Sequence, residues 1–329
     1  MNRIFPLLLI IVLLVAGCSK GQPDTTGSTE SDSPSTENRV SDPVSEADTT
    51  TFELDPDAEV WRMHPQWAWY GSRIVFYERR GSSSQIVVID PTGNELVRTK
   101  ASRGYAANPT WNDFGTEIAY SYAAEGVDGE WDLWRMNSDG TNPQLYIDLD
   151  DQVMHPAWDP TDAMLAFVQM TEEGPNIVVS NPRTAVTRQI TFDSGERFHP
   201  TWLDDQLYLI YDKTDGNTTQ ICKNQVFRRE ETCLFSIEGS DVSTPAASRN
   251  GAIIAFAATE KGEGKTSDLW LYQVENGALF QLTDTPDESE GAPYWSPDGR
   301  WIVFHSDRGG EHHIYKMRID QTERVQLTH

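Results

Sequence analysis

Prolines at positions 65, 109, 156, 200, 245 and 293 divide most of the 329-residue chain into units 44, 47, 44, 45 and 48 residues apart. Trp67, Trp111, Trp158, Trp202 and Trp295 each follow such a proline by two residues, and only the fifth copy departs, with Ala247. A turn comes next in every copy ("AWYG", "NDFG", "DPTD", "LDDQ", "SRNG", "SPDG"), and Gly71, Gly115, Gly251 and Gly299 supply backbone freedom for the reversal. An apolar run ending near an aromatic leaves each turn: "RIVFYE", "EIAYSY", "MLAFVQ", "LYLIYD", "IIAFAA", "WIVFHS". Two shorter runs complete the unit. Period-two patterning and β-branched and aromatic enrichment mark all of these as strands. Counting the short Pro-x-Trp segment, each unit supplies four strands.

A period of this length, four strands to the unit, predicts an all-β chain folded as a six-bladed β-propeller with four antiparallel strands per blade. Each blade exposes apolar faces that only its neighbours can cover. The last copy, "APYWSPDGRWIVFHSDRGGEHHIYKMRIDQTERVQLTH", resembles the TolB-type propeller repeat, with its P-x-W-S-P-D-G-x-x-I-x-F, I-Y and L-T elements. The resemblance spans residues 53–329 and implies the same six-bladed ring. Ring closure has two readings. "ELDPDAEVWRMHP" before the first unit parallels "QLTDTPDESEGAP" before the last, so the N-terminal strand either adds to the last blade or leads into the first.

Ahead of the repeats, residues 1–17 read as an export signal: Asn2 and Arg3, then a short apolar stretch ending in Val15-Ala16-Gly17-Cys18. This end resembles the bacterial lipobox, which implies acylation of Cys18 (palmitate included). Ser19, which is not Asp, implies sorting to the outer membrane, facing the periplasm. Residues 18–52, the lipidated cysteine and a Ser/Thr/Asp/Glu/Pro-rich stretch, hold too little apolar surface to offset the entropy of ordering, and read as a disordered acidic tether.

Fifty-one acidic against 26 basic residues give a net charge of −25. Nucleic acid and anionic membranes need clustered Lys and Arg, so neither is an expected partner, and membrane contact is left to the lipid anchor. Export to an oxidising compartment lets Cys222 and Cys233, in neighbouring runs of the fourth unit, form a structural disulfide.

In a propeller the first strand of each blade lines the central channel. His64, Asn108, His155, His199, Thr244 and Ala292 precede the six prolines, so they form a ring, expected at the channel mouth, with binding assigned to His64, Asn108, His155 and His199. Three imidazoles in one layer suit a divalent Zn, Mn or Fe ion, with Asp57, Asp151 or Glu196 completing its coordination. The alternative is that these side chains only hydrogen-bond the channel wall. His305, His312 and His313 read as surface residues. Acid-rich turns lack the loop spacing of a calcium site and suit hairpin reversals. No G-x-S-x-G, H-E-x-x-H, phosphate loop or C-x-x-C occurs.

The TolB resemblance implies a non-enzymatic module that binds an envelope protein or peptide on one face of the ring. The rival is a metal-dependent enzyme. Oligogalacturonate lyases share the repeat and hold a metal on channel histidines, although an acidic substrate suits a strongly acidic chain poorly.

Overall fold

The computed structural model describes residues 57–329 apart from 101–103, 148, 182, 185, 194, 204–206 and 263–264. Cys18, the signal at 1–17 and the tether at 18–52 lie outside the described residues.

Six four-stranded antiparallel sheets follow one another along the chain, each a simple meander. Blade 1 holds β1 (Val60–Trp67), β2 (Ile74–Arg80), β3 (Ser83–Ile89) and β4 (Glu95–Arg98). Blade 2 holds β5 (Tyr105–Trp111), β6 (Glu117–Ala123), β7 (Trp131–Asn137) and β8 (Gln144–Ile147). Blade 3 holds β9 (Val153–Trp158), β10 (Leu165–Thr171), β11 (Gly174–Asn181) and β12 (Val186–Gln189). Blade 4 holds β13 (Glu196–Trp202), β14 (Tyr208–Asp215), β15 (Thr218–Gln225) and β16 (Glu230–Phe235). Blade 5 holds β17 (Ser240–Ala247), β18 (Ile253–Glu260), β19 (Ser267–Gln273) and β20 (Leu279–Gln281). Blade 6 holds β21 (Glu290–Trp295), β22 (Trp301–Ser306), β23 (His313–Arg318) and β24 (Arg324–Gln326). The expected six-bladed ring is therefore present. The inner strand is longer than the Pro-x-Trp segment, because pairing begins several residues before the proline.

The core is divided among the blade junctions. One cluster joins Val75 and Ile86 of blade 1 to Ile118 and Trp111 of blade 2, and another joins Phe167 of blade 3 to Leu133 of blade 2. The same holds around the ring to Phe76 and Val87 of blade 1, which pack on Val303, Ile314 and Leu327 of blade 6. A blade taken alone would leave both of its apolar faces wet, which is why the unit must repeat.

Two motif residues act as latches. The tryptophan indoles of blades 4 and 6 donate backward to the preceding blade: Trp202 Nε1 to the Ala157 carbonyl and Trp295 Nε1 to the Ala246 carbonyl, both at 3.0 Å. The threonine that ends a unit accepts a backbone N–H of the third strand, as Thr191 does from Ile177, Thr283 from Leu269 and Thr328 from Ile314.

Closure takes the second of the two routes, since β1 pairs within blade 1 and blade 6 fills its own sheet. A single parallel bridge, Trp61 to His312, crosses the seam, with the two rings stacked 4.1 Å apart. Arg62 donates to Glu78 at 2.9 Å, contacts His313 Nδ1 at 3.0 Å and reaches the His329 carbonyl at 3.1 Å. His312 and His313 are thus seam residues, correcting the expectation of free surface imidazoles. Stacking on an indole and pairing with a buried guanidinium hold them in.

Cys222 and Cys233 stand directly opposite each other on β15 and β16 and are disulfide-bonded.

Candidate functional site

Each inner strand breaks its ladder at the same place. On β1, Met63 pairs with Tyr77 and Gln66 with Val75, so His64 and Pro65 together oppose Phe76. The same two-against-one bulge sets Asn108-Pro109 against Tyr120 and His155-Pro156 against Phe167. It also sets His199-Pro200 against Tyr211, Thr244-Pro245 against Phe256 and Ala292-Pro293 against Phe304. A proline brings no N–H, so it sits in a bulge without losing a ladder bond. The residue before it must turn into the left-handed region, and all six do, with φ between 46° and 52°. Asn and His tolerate that region better than other side chains, whereas a β-branched residue such as Thr244 is strained there. The repeated frame and the recurrent histidine therefore share a backbone cause.

The six bulges ring a central cavity lined by His64, Asn108, His155, His199, Thr244, Ala292 and their prolines. This ring stands within the inner strands, each of which starts two or more residues before it. The mouth at the far end of the inner strands is aromatic. Trp67, Trp69, Trp111, Trp158, Trp202 and Tyr294 line a pocket there, with Asn112, Asp113 and Arg249. The Arg249 guanidinium lies 4.2 Å over the Trp69 ring, reaching from blade 5 to blade 1. The buried indole N–H groups of Trp111 and Trp158 have no hydrogen-bond partner among the described residues.

The ring histidines pack on one another. His155 and His199 stack with centroids 4.5 Å apart, His64 and His199 at 5.8 Å, and His64 and His305 at 5.9 Å. His305 follows Phe304 on β22, and Asp212 follows Tyr211 on β14; both belong to a second tier formed by the residue after the bulge-facing aromatic. Asp212 Oδ1 meets His199 Nδ1 at 2.8 Å and accepts the Thr244 N–H at 3.1 Å. Asn108 Nδ2 donates to His64 Nδ1 at 3.3 Å. Below this tier a further cavity is lined by His64, His199, His305, His312 and Glu290. Burial, and then the neighbouring imidazole of His199, hold His64 and His155 well below the ordinary histidine range. Burial and His312 bring His305 down to about 3. These histidines are neutral at pH 7.

Sequence reasoning missed His305 and Asp212. The signal was available in the aromatic-plus-one position of "IVFHS" and "LIYD". Asp57, Glu196 and Asp151 do not join the ring: all three are exposed, and Asp151 accepts from Gln169 Nε2 at 2.7 Å. As stacked, the imidazoles present faces rather than converging nitrogens. Among the described residues, the only group of three metal-ligating side chains with donor atoms within 4.8 Å of one another is Cys222, Glu231 and Cys233, whose sulfurs form the disulfide. The ring in this arrangement does not fit a bound metal ion.

Comparison with known proteins agrees with the fold. Residues 197–329, which are blades 4 to 6, match the family model of the TolB beta propeller domain. The Tol-Pal system protein TolB of Francisella tularensis subsp. holarctica (strain OSU18) is 29% identical over 237 residues, 71% of this chain and 54% of that protein. The crystal structure of TolB from Acinetobacter baumannii superposes with a TM-score of 0.65 at 20% identity, covering 78% of this chain and 63% of that one. Oligogalacturonate lyase in complex with manganese gives 0.57 at 12% identity, covering 83% and 79%. At such identities the structures speak for the fold alone. The repeat and these matches together define a TolB-like β-propeller, with the family model matched over its last three blades. The chain spans about half the length of the Francisella protein and about a fifth of the matched proteins of Agrobacterium fabrum and Methylococcus capsulatus.

Proposed function

We propose that the protein is a lipid-anchored, outer-membrane propeller that faces the periplasm and acts as a non-enzymatic docking module for an envelope protein or peptide. The observation that carries this reading is the asymmetry of the two faces. Strand direction puts the turns after the first and third strands of every blade on the face with the aromatic mouth. Among the described residues, the exposed Tyr70, Phe114, Leu207, Phe227 and Val274 stand in or beside turns of that face, against Val127 and Phe192 in connections of the opposite one, while Leu96, Val186 and Phe280 lie on outer strands. Exposed aromatics around a pocket lined by tryptophan and tyrosine rings suit a peptide whose side chains pack on those rings. The likeness to TolB supports a protein partner by analogy of fold.

A photo-crosslinking residue at Tyr70 or Phe114, installed in the full-length protein in cells, tests the reading against one at Val127. A discrete partner adduct from the first two positions only supports it. Equal labelling from all three, or background alone, refutes it.

The rival reading, a metal-dependent polysaccharide lyase, draws on the presence of His64, His155 and His199 in one channel. It requires those rings to leave their stacks and turn nitrogens toward a common point.

A further inference from the structure

Blade 4 carries an outer hairpin that the repeat does not require. β16 is six residues long, where the outer strands of the other blades have three or four. The disulfide ties β16 to β15 three pairs below the tip. The tip itself is Val226-Phe227-Arg228-Arg229, where blades 1, 2 and 5 turn through Thr92-Gly93, Asp139-Gly140 and Asn276-Gly277. Phe227 is 59% exposed, and Arg228 and Arg229 are exposed. The Arg188 guanidinium lies 5.7 Å over the Phe227 ring and donates to the Val226 carbonyl, and Arg229 lies 4.8 Å over the half-exposed Phe192 ring. Among the described residues no carboxylate is within ion-pairing distance of Arg188, Arg228 or Arg229, although the chain has nearly two acids for every base. Adjacent arginines with no carboxylate partner among the described residues, on so acidic a protein, suit an outside anion.

We infer that this stapled hairpin is a docking arm for an acidic, apolar-flanked segment of a protein partner. The inference rests on the reading of the aromatic face as the docking face, because the tip projects from that same face. Guanidinium groups pair with carboxylates through two parallel N–H bonds, and a guanidinium stacked on a ring keeps its N–H edge free. Phe227 between two arginines offers apolar contact at the same spot. The disulfide holds the tip in one geometry, which reduces the ordering cost of binding. An anionic membrane is the poorer match. Its charge is uniform, and across the same face it would meet Asp113, Asp298 and Asp320 in the turns of blades 2 and 6. A partner with one acidic segment meets the arginines and avoids those turns.

The test uses the full-length protein in zwitterionic detergent and two fluorescein-labelled peptides, one of alternating Asp, Glu and Leu and one with Asn and Gln in place of the acids. Anisotropy should show the acidic peptide binding roughly tenfold tighter than its amide twin, with affinity falling as salt rises. Arg228→Glu with Arg229→Glu should abolish that preference, and so, more mildly, should Arg228→Ala with Arg229→Ala; exposed turn positions leave the melting temperature unchanged. Equal affinity for the two peptides overturns the proposal. So does binding to phosphatidylglycerol vesicles through the same arginines without peptide binding, which would assign the hairpin to a membrane. Failure of the arm is separable from failure of the docking face. A Tyr70 adduct that survives the charge reversal at full yield, together with unaltered peptide binding, removes the arm and keeps the face. Loss of all Tyr70 adducts from the unaltered protein removes the face.

Discussion

The imidazoles of His155 and His199 lie 4.5 Å apart and 18° from parallel across the junction of blades 3 and 4. Two rings so placed cannot both carry a proton without strong repulsion, and His64 extends the contact from the other side of His199. Asp212, at His199 Nδ1, gives the group one carboxylate. The channel wall therefore holds its imidazoles in a column, in which burial keeps His64 and His155 well below the ordinary histidine range.

Acid should weaken the fold before the carboxylates titrate. His64, His155 and His305 have native pKa values below the ordinary 6.5 through burial and mutual repulsion. In the unfolded chain each takes up a proton as pH falls through 6.5, while the folded protein does not. The stabilisation is thus complete above pH 6.5 and is lost below it. At pH 5 the loss is about 2 kcal/mol for each histidine that stays neutral. Urea unfolding at pH 7.5, 6 and 5 should show that fall, and His155→Asn, which keeps a side chain suited to the left-handed backbone, should flatten it. A pH-independent midpoint across this range would show that the column does not resist protonation.

The bulge geometry predicts a stabilising substitution. Ala292 holds φ at 46° with no side-chain hydrogen bond to compensate. Glycine has no Cβ to clash in that region, so Ala292→Gly should raise stability by about 0.5–1 kcal/mol despite the added freedom of the unfolded chain. Thr244→Asn should act in the same direction. Denaturant midpoints settle both, and a loss of stability in Ala292→Gly would mean the bulge is not strained at that blade.

The ring and its register were legible because the Pro-x-Trp frame, the turns and the apolar runs recur with one period, and each recurrence adds an independent vote. The seam was not legible. "ELDPDAEVWRMHP" resembles a unit end, yet Trp61 reaches blade 6 through His312 rather than through an added strand, a choice made by packing. The ring of pre-proline residues was visible, but its depth in the channel depends on where β1 begins, and strand starts carry weak local signals. His305 looked peripheral because it lies on a second strand. Its side chain reaches the axis because Gly291, opposite it, leaves the space: a Cβ there would sit 2.7 Å from His305 Nε2.

Stacked rings also predict a weak metal site. His199 Nδ1 is engaged by Asp212 and His64 Nδ1 by Asn108, which leaves only their Nε2 atoms for an ion, and the stacks keep the rings face to face without three clustered donors. Protein purified without chelator or His-tag should carry less than about 0.1 equivalent of Zn, Mn or Fe by elemental mass spectrometry. Near-stoichiometric metal, lost in His155→Ala with His199→Ala, would instead mean that the column rearranges around an ion, and would move the lyase reading forward.

The seam between blades 6 and 1 should be the most sensitive junction to a single methyl group. Gly93, in the turn after β3, has φ of 95°, and a Cβ built on it falls 2.4 Å from the Leu327 carbonyl oxygen and 3.2 Å from its carbon. Neither atom can swing aside, because Leu327 is buried in the junction cluster and its N–H is bonded to Ile314. Gly93→Ala must therefore bear both a left-handed backbone and a steric displacement of the last strand, for a loss of roughly 2–5 kcal/mol. Gly115→Ala is the control. Its φ is 64°, but nothing lies within 4 Å of the added carbon, so it should lose only about 1 kcal/mol. Paired urea titrations measure the difference, which isolates the displacement at the seam. Equal losses in the two variants would mean that the ring closes with enough slack to admit the methyl group, and that closure depends on Trp61, His312 and Arg62 more than on the packing around Leu327.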